Sequence, residues 1–96
     1  MSVLLSTDLD DPRSYPYFLW DEPMTVAELR RRLAGSSEDR LRLLGKVLRE
    51  ARDTDVWRFT TPTEVSENWS ELRRHLGHRL AFWEFLLGHW KDTAWK

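Results

Sequence analysis

The stretch MTVAELRRRLAGSSEDRLRLLGKVLREA, residues 24–51, decides the fold class. Thr25 is a good N-cap, Glu28 three residues on completes a capping box, and Met24 and Leu29 are spaced for a hydrophobic staple. Val26, Leu29 and Leu33 make a narrow apolar stripe, and Gly35 ends it. Ser36 or Ser37 caps the next helix, with Glu38 and Asp39 in its first turn, where the helix dipole favours acids. Leu41, Leu44, Leu48 and Ala51 recur at helical spacing, Leu43 and Val47 widen the face, and Arg49 and Arg52 close the last turn. The spacing predicts helices over about 25–34 and about 37–52.

Downstream the same periodicity continues. Thr61, Pro62 and Glu64 open a third helix over about 62–76, with Val65, Trp69, Leu72 and Leu76 in a single stripe, a bend expected near Asn68, and Gly77 as the stop. A fourth, over about 78–91, carries Leu80, Phe82, Trp83, Phe85, Leu86, Leu87 and Trp90 around most of its circumference. A helix apolar nearly all round is either central or completed by a partner. Between the second and third, Asp53, Thr54 and Asp55 read as a turn. The expectation is an all-α domain, a small bundle of about four helices over 25–96. Its core would include Leu29, Leu33, Leu41, Leu44, Leu48, Val65, Trp69, Leu72, Phe82, Trp83 and Leu86.

Upstream lies an acidic, aromatic arm, residues 1–24. YPYFLWDEP, residues 15–23, puts Tyr15 before Pro16, and Tyr17, Phe18 and Trp20 between Pro16 and Pro23, beside Asp21 and Glu22. Pro16 and Pro23 argue against a long helix, so the arm is expected to be extended. Two outcomes are open. Tyr17, Phe18 and Trp20 fold back to close the helical core, or the arm lies along a groove of a partner.

Net charge is −1 over 96 residues, unevenly spread. Residues 1–24 hold five acids (Asp8, Asp10, Asp11, Asp21, Glu22) and one base, Arg13, so a mildly basic body follows an acidic arm. With no Cys, disulfides and thiolate metal sites are excluded. The N-terminus lacks the basic start and apolar run of a secretory signal, and no stretch is long enough to span a bilayer, so a cytoplasmic location is expected.

For catalysis the sequence is poor. It offers no glycine-rich phosphate loop, and its serines lie mostly at predicted caps. Glu64, Glu67 and Glu71 fall along a solvated helix side, and His75 and His78 are split by Gly77 with no third ligand placed by spacing. No enzymatic role, cofactor or metal is expected. A DNA-binding alternative rests on the helix-turn-helix outline of residues 25–52, with Arg40, Arg42, Lys46 and Arg49 as phosphate contacts. Against it stand Glu38 and Asp39 at the start of the supposed recognition helix, Arg31 where close packing wants a small residue, and the net negative charge.

Protein binding is the preferred reading. Six Trp are many for four short helices, and Trp, Tyr and Arg dominate binding hot spots. The arm and part of the fourth helix are expected to make the contact, with Tyr15, Tyr17, Phe18, Trp20, Asp21, Glu22 and Trp90 as its residues. A homodimer through the fourth helix is the other partnership the apolar pattern allows.

The runs LDDPRSYPYFLWDEPMTVAELRRRL, GKVLREARDTDVWRFTTPTEV and RLAFWEFLLGHW, within residues 8–90, resemble small bacterial proteins associated with nucleotidyltransferase toxins of the AbiEii/AbiGii type. The resemblance rests on YPYFLWDEP, DVWRFTTP and AFWEFLLG, none of them a catalytic signature. It implies a non-catalytic, antitoxin-like protein that binds and silences a nucleotidyltransferase. Many such proteins also repress their own operon through a DNA-binding domain, for which this chain carries no convincing match.

Overall fold

The structure is a computed structural model describing residues 4–93, apart from the side chains of Ser37 and of residues 89–93. It is mostly helical. Six α-helical segments are present among the described residues: α1 (Val26–Leu33), α2 (Ser37–Glu50), α3 (Asp53–Val56), α4 (Pro62–Glu67), α5 (Trp69–Leu72) and α6 (Leu80–Thr93). Ahead of them, β1 (Leu5–Ser6) and β2 (Tyr15–Pro16) form a minimal parallel pair, with Leu5 opposite Tyr15, and Tyr17–Leu19 make a 3₁₀ turn.

The arm is therefore not a free extension. Its loop supplies caps to α1, whose first amides would otherwise have no partner. Val26 N–H donates to the Ser14 carbonyl at 2.9 Å and Ala27 N–H to the Pro12 carbonyl at 3.0 Å. The third amide, Glu28, is taken by the Thr25 hydroxyl at 3.1 Å, as the N-cap reading expects. The reciprocal half of the capping box is not made, because the Glu28 carboxylate turns to Arg31 and Arg32. Met24 and Leu29, the two ends of the expected staple, are both buried.

α2 supplies the centre of the core. Leu43, Leu44, Val47 and Leu48 are all at 1% exposure or less, against Leu29 of α1, Val65 of α4, Leu72 of α5, Leu76 and Trp83 of α6. The arm adds Leu9, Phe18 and Leu19 to the same core. Gly45 of α2 lets the chain at His75 approach closely: a β-carbon at Gly45 would sit 2.5 Å from His75 Cβ.

The third predicted helix is divided at Asn68, where the backbone (φ −109°, ψ 15°) leaves helical geometry. Its side-chain amide donates to the Glu64 carbonyl at 2.8 Å and competes with the helical ladder there. The segment continues as α5 and a 3₁₀ turn, Arg73–His75, and Gly77, at φ 52°, reverses the chain in the left-handed region. Phe82, expected in the core, is 38% exposed. On α6, Trp83 and Leu87 point inward four residues apart, and Phe82 falls about 100° away from Trp83 around the helix, outside that face.

Candidate functional site

The arm meets the helices at the C-terminal end of α2. The helix stops at Glu50, and Ala51 is extended (ψ 156°). The next hydrogen bond of the ladder would join Arg52 N–H to the Leu48 carbonyl. Two aromatics take its two halves instead. Tyr17 Oη accepts from Arg52 N–H at 2.9 Å, and Trp83 Nε1–H donates to the Leu48 carbonyl at 2.8 Å. Tyr17 Oη in turn donates to Asp55 Oδ2 at 2.6 Å. Burial, reinforced by the hydrogen bond to Asp55, raises the Tyr17 phenol above its usual range. Arg79 donates to the Ala51 carbonyl at 2.6 Å, so side chains from the arm and from the α6 side finish a helix that has no glycine cap. Phe18 packs edge-on against Tyr17 and Phe59, with ring centroids 5.3 and 5.8 Å away.

After Leu19 the chain turns a corner through Trp20, Asp21, Glu22 and Pro23. Its two acids face the cations of α1 and α2. Arg42 grips both Glu22 oxygens at 2.9 and 2.7 Å, and Lys46 Nζ reaches Glu22 at 3.1 Å and Asp21 at 2.7 Å. Arg32 stands 4.0 Å from the same carboxylate. The Arg42 hydrogen bonds, helped by Lys46, lower the Glu22 carboxyl to about 2, and Lys46 lowers Asp21. Arg31 and Arg32 likewise lower Glu28 to about 2. Lys46 is itself only 7% exposed, its stem covered and its ammonium held between the two carboxylates.

Each residue of the expected DNA-contact set is engaged within the chain. Arg40 pairs with Glu64 at 3.2 Å, Arg42 with Glu22 and Asp39, and Lys46 with the arm. Arg49 pairs with Glu50 and donates to the His75 carbonyl.

The expected partner contacts divide sharply. Phe18, at 1% exposure, is a core residue and has no surface to offer a partner. Tyr15 and Tyr17 are half-buried, and the Tyr17 hydroxyl is committed to the end of α2. Asp21 and Glu22 are held by Lys46 and Arg42. Trp20 alone of the arm aromatics is open, at 63% exposure. The Trp90 side chain lies outside the described residues. The sequence points to part of the fourth helix as a contact without marking Phe85 or Phe82; on α6 Phe85 is 71% and Phe82 38% exposed. With Ala81 and Gly88 they make an outer face whose one charged residue up to Gly88 is Glu84, facing Arg73 at 3.5 Å. The signal was present in the all-round apolar composition of that helix.

Two clefts flank these features. One of about 560 Å³ runs beside the first half of α2, lined by Glu38, Asp39, Leu41, Arg42, Glu71 and His75. A smaller one of about 340 Å³ lies between α4–α5 and α6, lined by Ser66, Trp69, Glu84, Leu87 and Gly88. Among the described residues no group of three His, Asp or Glu is placed to hold a metal ion, and no helix is long and apolar enough to cross a membrane. Thr25 and Thr61 use their hydroxyls as helix caps. No family model, curated protein or solved structure matches this chain.

Proposed function

We propose that this protein acts by binding another protein, without catalysis, through Trp20 and the outer face of α6. The observation that carries this reading is the exposure of large aromatics, Trp20 at 63% and Phe85 at 71%, on a chain whose mean hydropathy is −0.62. Both residues stay largely exposed after folding, and exposed aromatics in a polar surround are what hot spots are made of. The sequence resemblance adds a partner class: an antitoxin-like inhibitor whose target is a nucleotidyltransferase, acting in the cytoplasm. A DNA-binding regulator built on α2 draws less support, because Arg40, Arg42, Lys46 and Arg49 each face an acid of the same chain.

The test is affinity purification of the tagged chain from its host at moderate salt, followed by mass spectrometry. A stoichiometric nucleotidyltransferase that loses about 30-fold in affinity on Trp20→Ala or Phe85→Ala supports the reading, that factor being the ~2 kcal/mol of a hot spot. A partner whose affinity ignores both substitutions overturns the assignment of the surface. A chain that elutes alone and monomeric overturns the function.

A further inference from the structure

We infer that Arg32, Arg42 and Lys46 form an oxyanion-binding site, that the chain's own Asp21–Glu22 corner plugs it, and that the ligand exchanging with the plug is a phosphate group. This goes beyond the protein-binding reading and does not depend on it.

Three cations from two helices converge on one carboxylate. Arg42 holds both Glu22 oxygens, Lys46 one of them, and Arg32 stands at 4.0 Å. A guanidinium fork that grips a carboxylate with two parallel bonds offers a phosphate the same geometry. Lys46 is the sharper clue. It is 7% exposed, and among the described residues its acidic partners are Asp21 and Glu22, both from the arm and neither from its own helix. A lysine covered to this extent needs an anion at its head, and here the anion is delivered on a separate segment.

That segment is tethered at both ends and open between them. Leu19 at 0% and Met24 at 7% exposure anchor it at each end in the core. Between them Trp20, Asp21 and Pro23 are exposed. For the corner to swing out between these points, an incoming anion must replace the Arg42 and Lys46 contacts, and among the described residues one backbone hydrogen bond is given up, Glu22 N–H to the Leu19 carbonyl at 3.2 Å. Once it has swung, Arg31, Arg32, Arg42 and Lys46 face only Glu28 and Asp39, and the patch becomes net positive.

The experiment uses the full chain at low salt, with pyrophosphate as the free-phosphate probe and a short DNA duplex as the backbone-phosphate probe. Binding is followed by calorimetry and by amide NMR. In the parent, pyrophosphate shifts the amide resonances of Trp20, Asp21 and Glu22 and those around Lys46. The double variant D21N/E22Q binds at least about tenfold more tightly, because the competing plug is disabled. Adding Lys46→Met to that background removes the gain. Glu22→Gln alone keeps the Asp21–Lys46 pair and so guards against misfolding; it gains less, in the same direction. Tighter pyrophosphate binding names a free phosphate compound as the source, whereas duplex binding without it names a nucleic-acid backbone. The inference is overturned if the folded variants bind neither probe more tightly than the parent. It is equally overturned if the gain survives Lys46→Met, or if the parent's corner resonances stay fixed while phosphate binds elsewhere.

Discussion

Replacing Phe18 by Ala separates the two roles that the arm aromatics could have had. Phe18 is 1% exposed and sits edge-on to Tyr17 and Phe59. Truncating a phenylalanine so placed costs about 3–5 kcal/mol, the lost transfer energy plus the cavity left behind. A chain of 96 residues has a total stability of roughly 5–14 kcal/mol, so the loss is a large fraction of the whole. With a urea slope of about 1.5 kcal/mol/M, a 4 kcal/mol loss moves the midpoint down by roughly 2–3 M. The assay is urea unfolding read by far-ultraviolet circular dichroism, which follows the loss of helix. Trp20→Ala is the internal control: at 63% exposure it should shift the midpoint by no more than the ~0.5 kcal/mol typical of a surface change. If Phe18→Ala unfolds within a few tenths of a molar of the parent, roughly the scale of that surface effect, the arm is not part of the core and the placement of Phe18 is wrong.

The remaining predictions use the same comparison. Tyr17→Phe strands the Arg52 amide and deprives Asp55 of its donor, and should cost about 1–3 kcal/mol. The Tyr17 phenol is raised in the folded state, so its contribution is fully present below pH 10.0 and is lost as pH rises through the folded value; the variant's alkaline limb in a pH-dependent melt should be flatter. Glu22 is lowered from 4.5 to about 2, so its contribution is present above pH 4.5 and lost as pH falls toward 2. Solvent screening discounts it to about 1 kcal/mol, and Glu22→Gln should lose that at neutral pH and converge with the parent in acid. Gly45→Ala, whose β-carbon would meet His75 Cβ at 2.5 Å, should destabilise by about 1–2 kcal/mol net of helix propensity. Gly88→Ala, with nothing within 4 Å, should stabilise by up to about 1 kcal/mol; equal thermal shifts at the two glycines would refute the close approach at His75.

What was legible in the sequence is what is local. Thr25, Thr61 with Pro62, and Gly77 mark boundaries through contacts three or four residues long, and the structure puts boundaries at all three. The bend at Asn68 belongs with them, being one side chain bonding its own preceding turn. The end of α2 was not legible. Arg49 and Arg52 read as a last turn, but Tyr17 and Trp83, each 35 residues from its backbone partner, stop the helix at Glu50. The arm was ambiguous for the same reason. Between two prolines no periodicity says which aromatic points inward, and Phe18 and Trp20, two residues apart, go opposite ways. On α6 the apolar residues cover so much of the circumference that periodicity could not choose Leu87 over Phe82 as the buried one.

The end of α2 also sets when this chain can finish folding. One half of the missing Arg52–Leu48 bond is answered from residue 17 and the other from residue 83. During synthesis the arm is present early and can dock as soon as α2 and Asp55 have emerged. Leu48 must wait, its carbonyl unanswered, until the ribosome has released Trp83, 35 residues further on. A nascent chain halted before that residue should carry α1 and α2 with a frayed junction that remains open to proteases and chaperones, and the emergence of Trp83 should close it.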